Sequence, residues 1–356
     1  MNDTADIEAV MLSTGFGSFV GEVRQTHHGR NHMWSGATSE GSNVFVKRLV
    51  GDSVDVQRRY NRCVAHAKFA AAGPAKSVST PRLLAADERS RTLIFEYVQG
   101  SRSGAELMAK DAFPDSTARE IGRAIGELHG MTVHGAEDSA GPLLPSLELL
   151  EGLPAAMFEA SSNAELEAWR LMQGDARLIE GIATLLDQEF KAPKVPAHCD
   201  FRLDQVLLTD ERLWIADWEE FRVADPARDV GSFAGEWLYR SIMDIATTRG
   251  DSEIEEVELT AEMIIQRGVT KLSRLQPKIQ QFWYGYRETR QNIDADLAHR
   301  ATAFAGWHLL DRLIASASGQ VRLLGPDRAA AGVGRTALLT PERFISVLGL
   351  GDGSNA

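Results

Sequence analysis

The residues most able to do chemistry lie in two short runs, His198-Cys199-Asp200-Phe201-Arg202-Leu203-Asp204-Gln205-Val206-Leu207-Leu208 and Ile215-Ala216-Asp217-Trp218-Glu219. Val206-Leu207-Leu208 and Leu213-Trp214-Ile215-Ala216 read as short strands around a turn. A hairpin of that kind lets Asp200 and Asp217 converge although they stand 17 positions apart. Two carboxylates so placed can divide the labour. Asp200 can orient a hydroxyl and receive its proton, while Asp217 can ligand a magnesium ion carried on nucleotide phosphates, with Gln205 supplying a further oxygen or hydrogen bond. The plainer alternative is that Asp200 opens a loop, Asp217 caps a turn and Trp218 packs in a core, since acidic loop residues are common.

The elements that would hold these groups can be read upstream. Val44-Phe45-Val46-Lys47-Arg48-Leu49 is rich in β-formers and follows the glycine- and serine-containing stretch Ser35 to Ser42, so it reads as a strand after a turn, with Lys47 on it. Arg58 to Ala72 reads as a helix: Tyr60, Val64, Ala67 and Ala71 recur at helical spacing and Gly73-Pro74 supplies a stop. Arg58, Arg62 and His66 repeat every four residues along it and read as a basic face, solvated or open to phosphate or an acidic peptide. Thr92 to Val98 is a further strand that could serve as an interlobe hinge. Ala118 to His129 is helical, with Ser116 or Thr117 as its cap, and helical spacing dominates 141–194 and 252–315. The fold class expected is α+β and two-lobed. A small β-rich lobe occupies about 1–98, a larger, mainly helical lobe about 99–350, and a flexible tail 351–356.

Composition narrows the class further. A chain of 356 residues exceeds the ~250–300 at which single cores usually stop growing, so two domains fit. With 44% hydrophobic and 25% charged residues it resembles ordinary globular chains rather than disordered ones. The net charge of -12 argues against broad binding to nucleic acid or anionic membranes. No run approaches the ~20 apolar residues of a membrane span, and an N-terminus bearing Asp3, Asp6 and Glu8 lacks the pattern of an export signal, so a cytoplasmic location is expected. Two cysteines, Cys63 and Cys199, make neither a disulfide framework nor a thiolate metal site, leaving oxygen donors for any metal.

The two runs resemble the catalytic and metal-binding segments of the aminoglycoside phosphotransferase and choline-kinase-like branch of the kinase superfamily. In that branch His-Gly-Asp is followed five residues after the aspartate by Asn, then by a hairpin ending in Asp-Trp or Asp-Phe. The resemblance makes Asp200 the catalytic aspartate and Asp217 the principal magnesium ligand. Gln205 takes the asparagine position, Cys199 replaces the glycine, and His198 organises the catalytic loop. It makes Lys47 the nucleotide-phosphate lysine and Gly29-Arg30-Asn31 the turn covering the nucleotide; Glu96 and Val98 join these as cofactor-binding residues. Asp225-Pro226-Ala227-Arg228-Asp229 is similar to the Asp-Pro-x-x-Asp element that follows and is assigned to scaffolding. One departure is substantial: no acidic residue occurs from Val56 through Ala86, so the familiar lysine–glutamate pair has no helix glutamate, and Arg62 lies near its place. Asp55 or the nucleotide phosphates would then partner Lys47. The resemblance implies ATP and Mg as cofactors and transfer of a phosphoryl group to a hydroxyl.

A narrower resemblance, carried by Gly29 to Gly36, Val44 to Lys47 and Gln205, is to the kinase-like components of class V lanthipeptide synthetases. It implies phosphorylation of Ser or Thr in a precursor peptide, prepared for elimination by a separate lyase partner. A small-molecule alcohol is the alternative acceptor, and a pseudokinase or leader-peptide-binding module the non-enzymatic one.

Overall fold

The computed structural model describes residues 3–26, 31–73, 77–132, 144–249 and 260–351. Gly29 and Arg30, two residues of the expected nucleotide-covering turn, lie outside that set.

The chain begins with helix α1 (Asp3–Ser13) and strands β1 (Phe19–Thr26), β2 (His32–Thr38) and β3 (Asn43–Arg48). Helix α2 (Ser53–Ala72), strands β4 (Leu83–Asp87), β5 (Thr92–Glu96) and β6 (Arg102–Ser103) follow. β1 to β5 form one antiparallel sheet in the order β1-β2-β3-β5-β4. The stretch read as a turn from Ser35 to Ser42 is shorter than expected. Ser35 to Thr38 continue β2, and the reversal is confined to the residues beyond, closed by Thr38 N–H on the Ser42 carbonyl at 2.8 Å.

Alternation along β3 explains how a lysine comes to be buried. Val44 and Val46 turn to one face with Trp34 and Ile94, where Ile7 and Met11 of α1, four residues apart on that helix, complete the core. The other face takes Leu49 and Leu93 with Val56, Tyr60 and Cys63 of α2. Lys47 therefore cannot point at solvent without breaking the pleat, and it is 4% exposed. Helix α2 starts earlier than its apolar spacing suggests because Asp52 caps it, accepting from Val54 N at 3.0 Å and Asp55 N at 3.2 Å.

The remainder is mainly helical: α3 (Gly104–Ala109), α4 (Asp115–Gly130), α5 (Leu147–Glu151), α6 (Ala155–Ala160), α7 (Asn163–Gln173) and α8 (Ala176–Lys191). Next come strand β7 (Val195–Ala197), the hairpin β8 (Val206–Leu208) and β9 (Leu213–Ile215), and strand β10 (Arg222–Ala224). Helices α9 (Ala227–Met243), α10 (Ala261–Thr289), α11 (Leu297–Ala317) and α12 (Gly325–Leu339) close the chain. β6, β8 and β9 make a small sheet, and β7 pairs with β10. Neither Ser116 nor Thr117 caps α4; Pro114 stands at the cap position without a side-chain bond. Among the described residues no helix is long and apolar enough to cross a membrane.

Of the described residues, those up to Glu106 and Asp204–Arg222 form one compact unit, and those of Leu107–Thr132, Gly141–Leu203 and Val223–Ala356 the other. The hairpin thus groups with the sheet that carries Lys47. The fold is two-lobed and kinase-like, β-rich at the N-terminal end and mainly helical beyond.

In the second unit α4 lies along α10 at a distance only glycine permits. A Cβ on Gly285 would sit 2.0 Å from the Arg119 carbonyl oxygen, and one on Gly122 2.0 Å from that of Phe282. Gly285→Ala should therefore lower stability by about 1–3 kcal/mol through overpacking. Gly332→Ala, exposed in α12 with nothing within 4 Å of the new methyl, should raise it by about 0.5–1 kcal/mol. Denaturant melts of the two variants check the contrast.

Candidate active site

In the first unit the site is built around the Lys47 ammonium. It ion-pairs with Asp217 Oδ1 and stands 2.7 Å from Glu219 Oε2. Burial alone would lower its pKa, but the two carboxylates outweigh that and hold it above the ordinary lysine range. Glu219 is gripped in turn: Asn31 Nδ2 donates to Oε2 at 3.0 Å, and Arg59 Nη1 lies 3.6 Å away. Arg59 is fully buried and donates to Asp55 Oδ2 at 2.9 Å, Asn31 Oδ1 at 2.9 Å and the Val50 carbonyl at 2.7 Å. Asp55, one candidate partner for Lys47, is thus engaged by Arg59. Asn31, expected at the nucleotide, is buried and spends its amide on Glu219, Arg59 and Val50 N–H.

The basic face expected on α2 is not solvated beyond Arg58. Arg62 is buried and donates to Glu220 Oε2 at 2.6 Å, where Arg222 donates at the same distance. His66 is buried too, its ring stacked on Trp218 at 3.8 Å and 6°. Helical spacing was right about a shared face; the missing fact was that a run of two glutamates and two aromatics, 218–221, covers it. Cys63, buried on the same helix, has its thiol pushed up by burial, against the nearby Lys47 charge, and is no nucleophile.

Asp217 has left-handed backbone, φ 66° and ψ 54°, and its side chain keeps 32% of its surface exposed. Gln205 stands across the hairpin. Val206 is opposite Ile215, and Ala216 N–H donates to the Gln205 carbonyl at 2.9 Å. Gln205 is 4% exposed. Among the described residues no group of three His, Cys, Asp or Glu could hold a metal ion. Magnesium carried on a nucleotide does not require one, since phosphate oxygens and waters supply most of its shell beside one or two protein oxygens. A part-exposed Asp217 carboxylate fits that demand. Glu96 and Val98 lie at the end of β5, where Glu96 accepts from Arg82 at 2.9 Å and the Val98 carbonyl accepts from the Ser101 hydroxyl at 2.9 Å.

In the second unit the loop of Asp200 hangs from Asp229. The Asp229 carboxylate accepts from His198 N–H at 2.8 Å and Cys199 N–H at 2.7 Å, and lies 3.0 Å from His129 Nε2. Burial pushes the Asp229 pKa up, but its interactions with His129 and His198 prevail and hold it below the usual carboxylate range. His198 is buried beside Phe201, with ring centroids 5.6 Å apart. Cys199 adopts φ 68°, which explains why glycine suits that position; a non-glycine residue there carries a strain of about 1–2 kcal/mol. Its thiol packs with Val195, Ala197 and Ala224. Asp225 caps Ala227 N–H at 2.9 Å and pairs with Arg300 through two bonds, 2.7 and 3.0 Å. Asp200 itself is part-exposed, with Arg202 at 3.6 Å.

Sequence reasoning missed Glu219 and Glu220 as ion-pair partners. The signal was present: three cationic side chains on one face of a helix with no acid beyond Asp55 call for carboxylates from elsewhere, and two stand directly after Asp217-Trp218.

The sequence profile of the family described as the phosphotransferase enzyme family matches residues 41–258. No curated protein matches. The fold is similar to several solved structures at low identity. A choline/ethanolamine kinase family protein from Mesorhizobium loti has TM-score 0.51 and 19% identity, over 98% of each chain. A putative fructosamine-3-kinase from Thermobifida fusca has TM-score 0.51 and 15% identity, over 94% of this chain and 98% of the other. The amicoumacin kinase hAmiN, in complex with AMP-PNP, Ca2+ and Ami, has TM-score 0.53 and 10% identity, over 96% of each. The matched segment runs from the turn before Lys47 past Asp217 and Asp229, so the chain belongs to the phosphotransferase enzyme family and is an ATP-dependent phosphotransferase.

Proposed function

We propose that this protein transfers the γ-phosphoryl group of ATP to a hydroxyl of a small-molecule alcohol. The observation that carries the reading is the convergence of Lys47 with Asp217 in one buried cluster of the family-matched segment. Lys47 places a fixed positive charge where phosphate oxygens need one. Asp217, with Gln205 across the hairpin, would hold magnesium, which neutralises charge on the phosphates. Asp200 orients the acceptor. As the acceptor oxygen bonds to the γ-phosphorus and the bond to ADP breaks, the hydroxyl proton passes to an Asp200 carboxylate oxygen. Asp229 keeps that loop in place through the His198 and Cys199 amides.

A small acceptor is favoured by the similar proteins, which are named for choline/ethanolamine, fructosamine and amicoumacin. The precursor-peptide reading gains no comparable support. Arg62, part of the basic face that could meet an acidic peptide, is buried against Glu220. The pseudokinase reading rests on Gln205 and the absent helix glutamate, and the second loses force because Glu219 stands beside Lys47.

ADP release and product mass should be followed with a panel of amino alcohols, sugars, aminoglycosides and a Ser/Thr peptide. Acceptor-dependent ADP formation and a phosphorylated small alcohol are expected; turnover with the peptide alone would sink the small-molecule reading. Asp217→Asn should lose productive Mg-nucleotide binding, whereas Asp200→Asn should keep binding and lose about 10²–10⁴-fold in transfer.

Asp229→Asn should cost about 3–5 kcal/mol at neutral pH, as expected for breaking a buried charged network. The lowered pKa of Asp229 means its contribution is complete above the unfolded value, about 3.9, and is lost as pH falls through the folded value. Denaturant melts between pH 3 and 7 should therefore show a shallower acid decline in the variant than in the native chain.

A further inference from the structure

Helix α2 has no carboxylate from Val56 to Ala72, and Asp55 is held by Arg59. A buried lysine in a phosphotransferase needs a partner that keeps its ammonium aimed when the metal aspartate is engaged elsewhere. Asp217 cannot fill that role, because the same carboxylate is the one suited to the metal. Glu219 can. It follows Asp217 by two residues, is 7% exposed, and its Oε2 meets Lys47 at 2.7 Å, Asn31 Nδ2 at 3.0 Å and Arg59 Nη1 at 3.6 Å. An oxygen so surrounded by donors is shaped to hold cations of the protein, whereas Asp217 retains 32% exposure of its side chain.

The polarity of the surroundings points the same way. The face of α2 that would carry a glutamate carries Arg59, Arg62 and His66, which meet Glu219, Glu220 and Trp218 in turn. The charges are reversed relative to the familiar arrangement, with cations on the helix and acids on the segment after the metal aspartate. We propose that Glu219 is the positioning residue for Lys47, supplying from that segment the carboxylate that α2 does not offer it beyond the Asp55 held by Arg59. The proposal rests on the phosphotransferase reading.

Binding of Mg–AMP-PNP, measured by calorimetry without any acceptor, separates the two. Glu219→Gln should weaken binding about tenfold at saturating magnesium and leave the magnesium midpoint unchanged, because Lys47 loses its aim and the metal ligands do not change. Glu219→Asp, which keeps the charge on a shorter arm, should recover part of the affinity. In steady state, with an acceptor found in the panel, Glu219→Gln should raise KM for ATP more than it lowers kcat. Unchanged nucleotide affinity in Glu219→Gln overturns the proposal, as does a shift confined to the magnesium midpoint, which would make Glu219 a metal ligand. If Glu219→Gln does not fold, the Asp variant decides: native affinity together with a shifted magnesium midpoint overturns the assignment, and weaker binding at saturating magnesium with the native midpoint supports it. Failure of the native chain itself to bind Mg–AMP-PNP would instead remove the phosphotransferase reading.

Discussion

A lysine ammonium on the buried face of a strand is costly unless carboxylates meet it, and that constraint organises the first unit. Lys47 is committed to the interior by the alternation of β3, so two acids must come to it. Asp217 and Glu219 do, from a segment 170 residues later in the chain. To hold Glu219, Asn31 and Arg59 are recruited; to hold the neighbouring Glu220, Arg62 and Arg222. The seam between α2 and the residues after the hairpin is therefore largely polar, with His66 and Phe69 against Trp218 and Phe221 as its apolar part. Such a network is worth little as net stability, yet it fixes geometry tightly, because loss of any member leaves its partner charged and dry.

The second unit solves a similar problem with one residue. Asp229 accepts two consecutive backbone N–H groups, and those belong to the residues immediately before Asp200. A loop that must turn through a left-handed residue is thereby overdetermined, and the strain at Cys199 is held by bonds to its own amide. Asp225, a turn earlier, is occupied with Arg300 and the first turn of α9, so the two aspartates of that element do different structural jobs.

Much of this was legible in the residues. The strand of Lys47, the hairpin before Asp217 and the helices of the second half follow from period and turn chemistry, and the order of motifs identifies the family. The first two strands and α1 carry no such local pattern. β2 mixes Trp34 with Ser35, Gly36 and Ala37, a composition that resembles a loop until its partner strands are known, and α1 exposes only Ile7 and Met11 as a core signal. Arg62 and His66 suggest a basic face because helix periodicity reports which residues share a side. It does not report what lies against that side. The segment 218–221 reaches α2 through tertiary contact alone, which no local pattern encodes. The acceptor is illegible for a related reason: no single motif in these residues encodes it.

The reversed charge across α2 also constrains how this sequence can change over generations. A glutamate placed at position 62 in a single step would set a second carboxylate against Glu220 and remove one of the two guanidinium groups, of Arg62 and Arg222, that Glu220 holds. Replacing Glu219 first would leave Arg59 and Lys47 crowded together without their common acid. Each path passes through an intermediate worse than either end. The two halves of the seam are thus coupled, so that a substitution on one side is tolerated only with a matching one on the other.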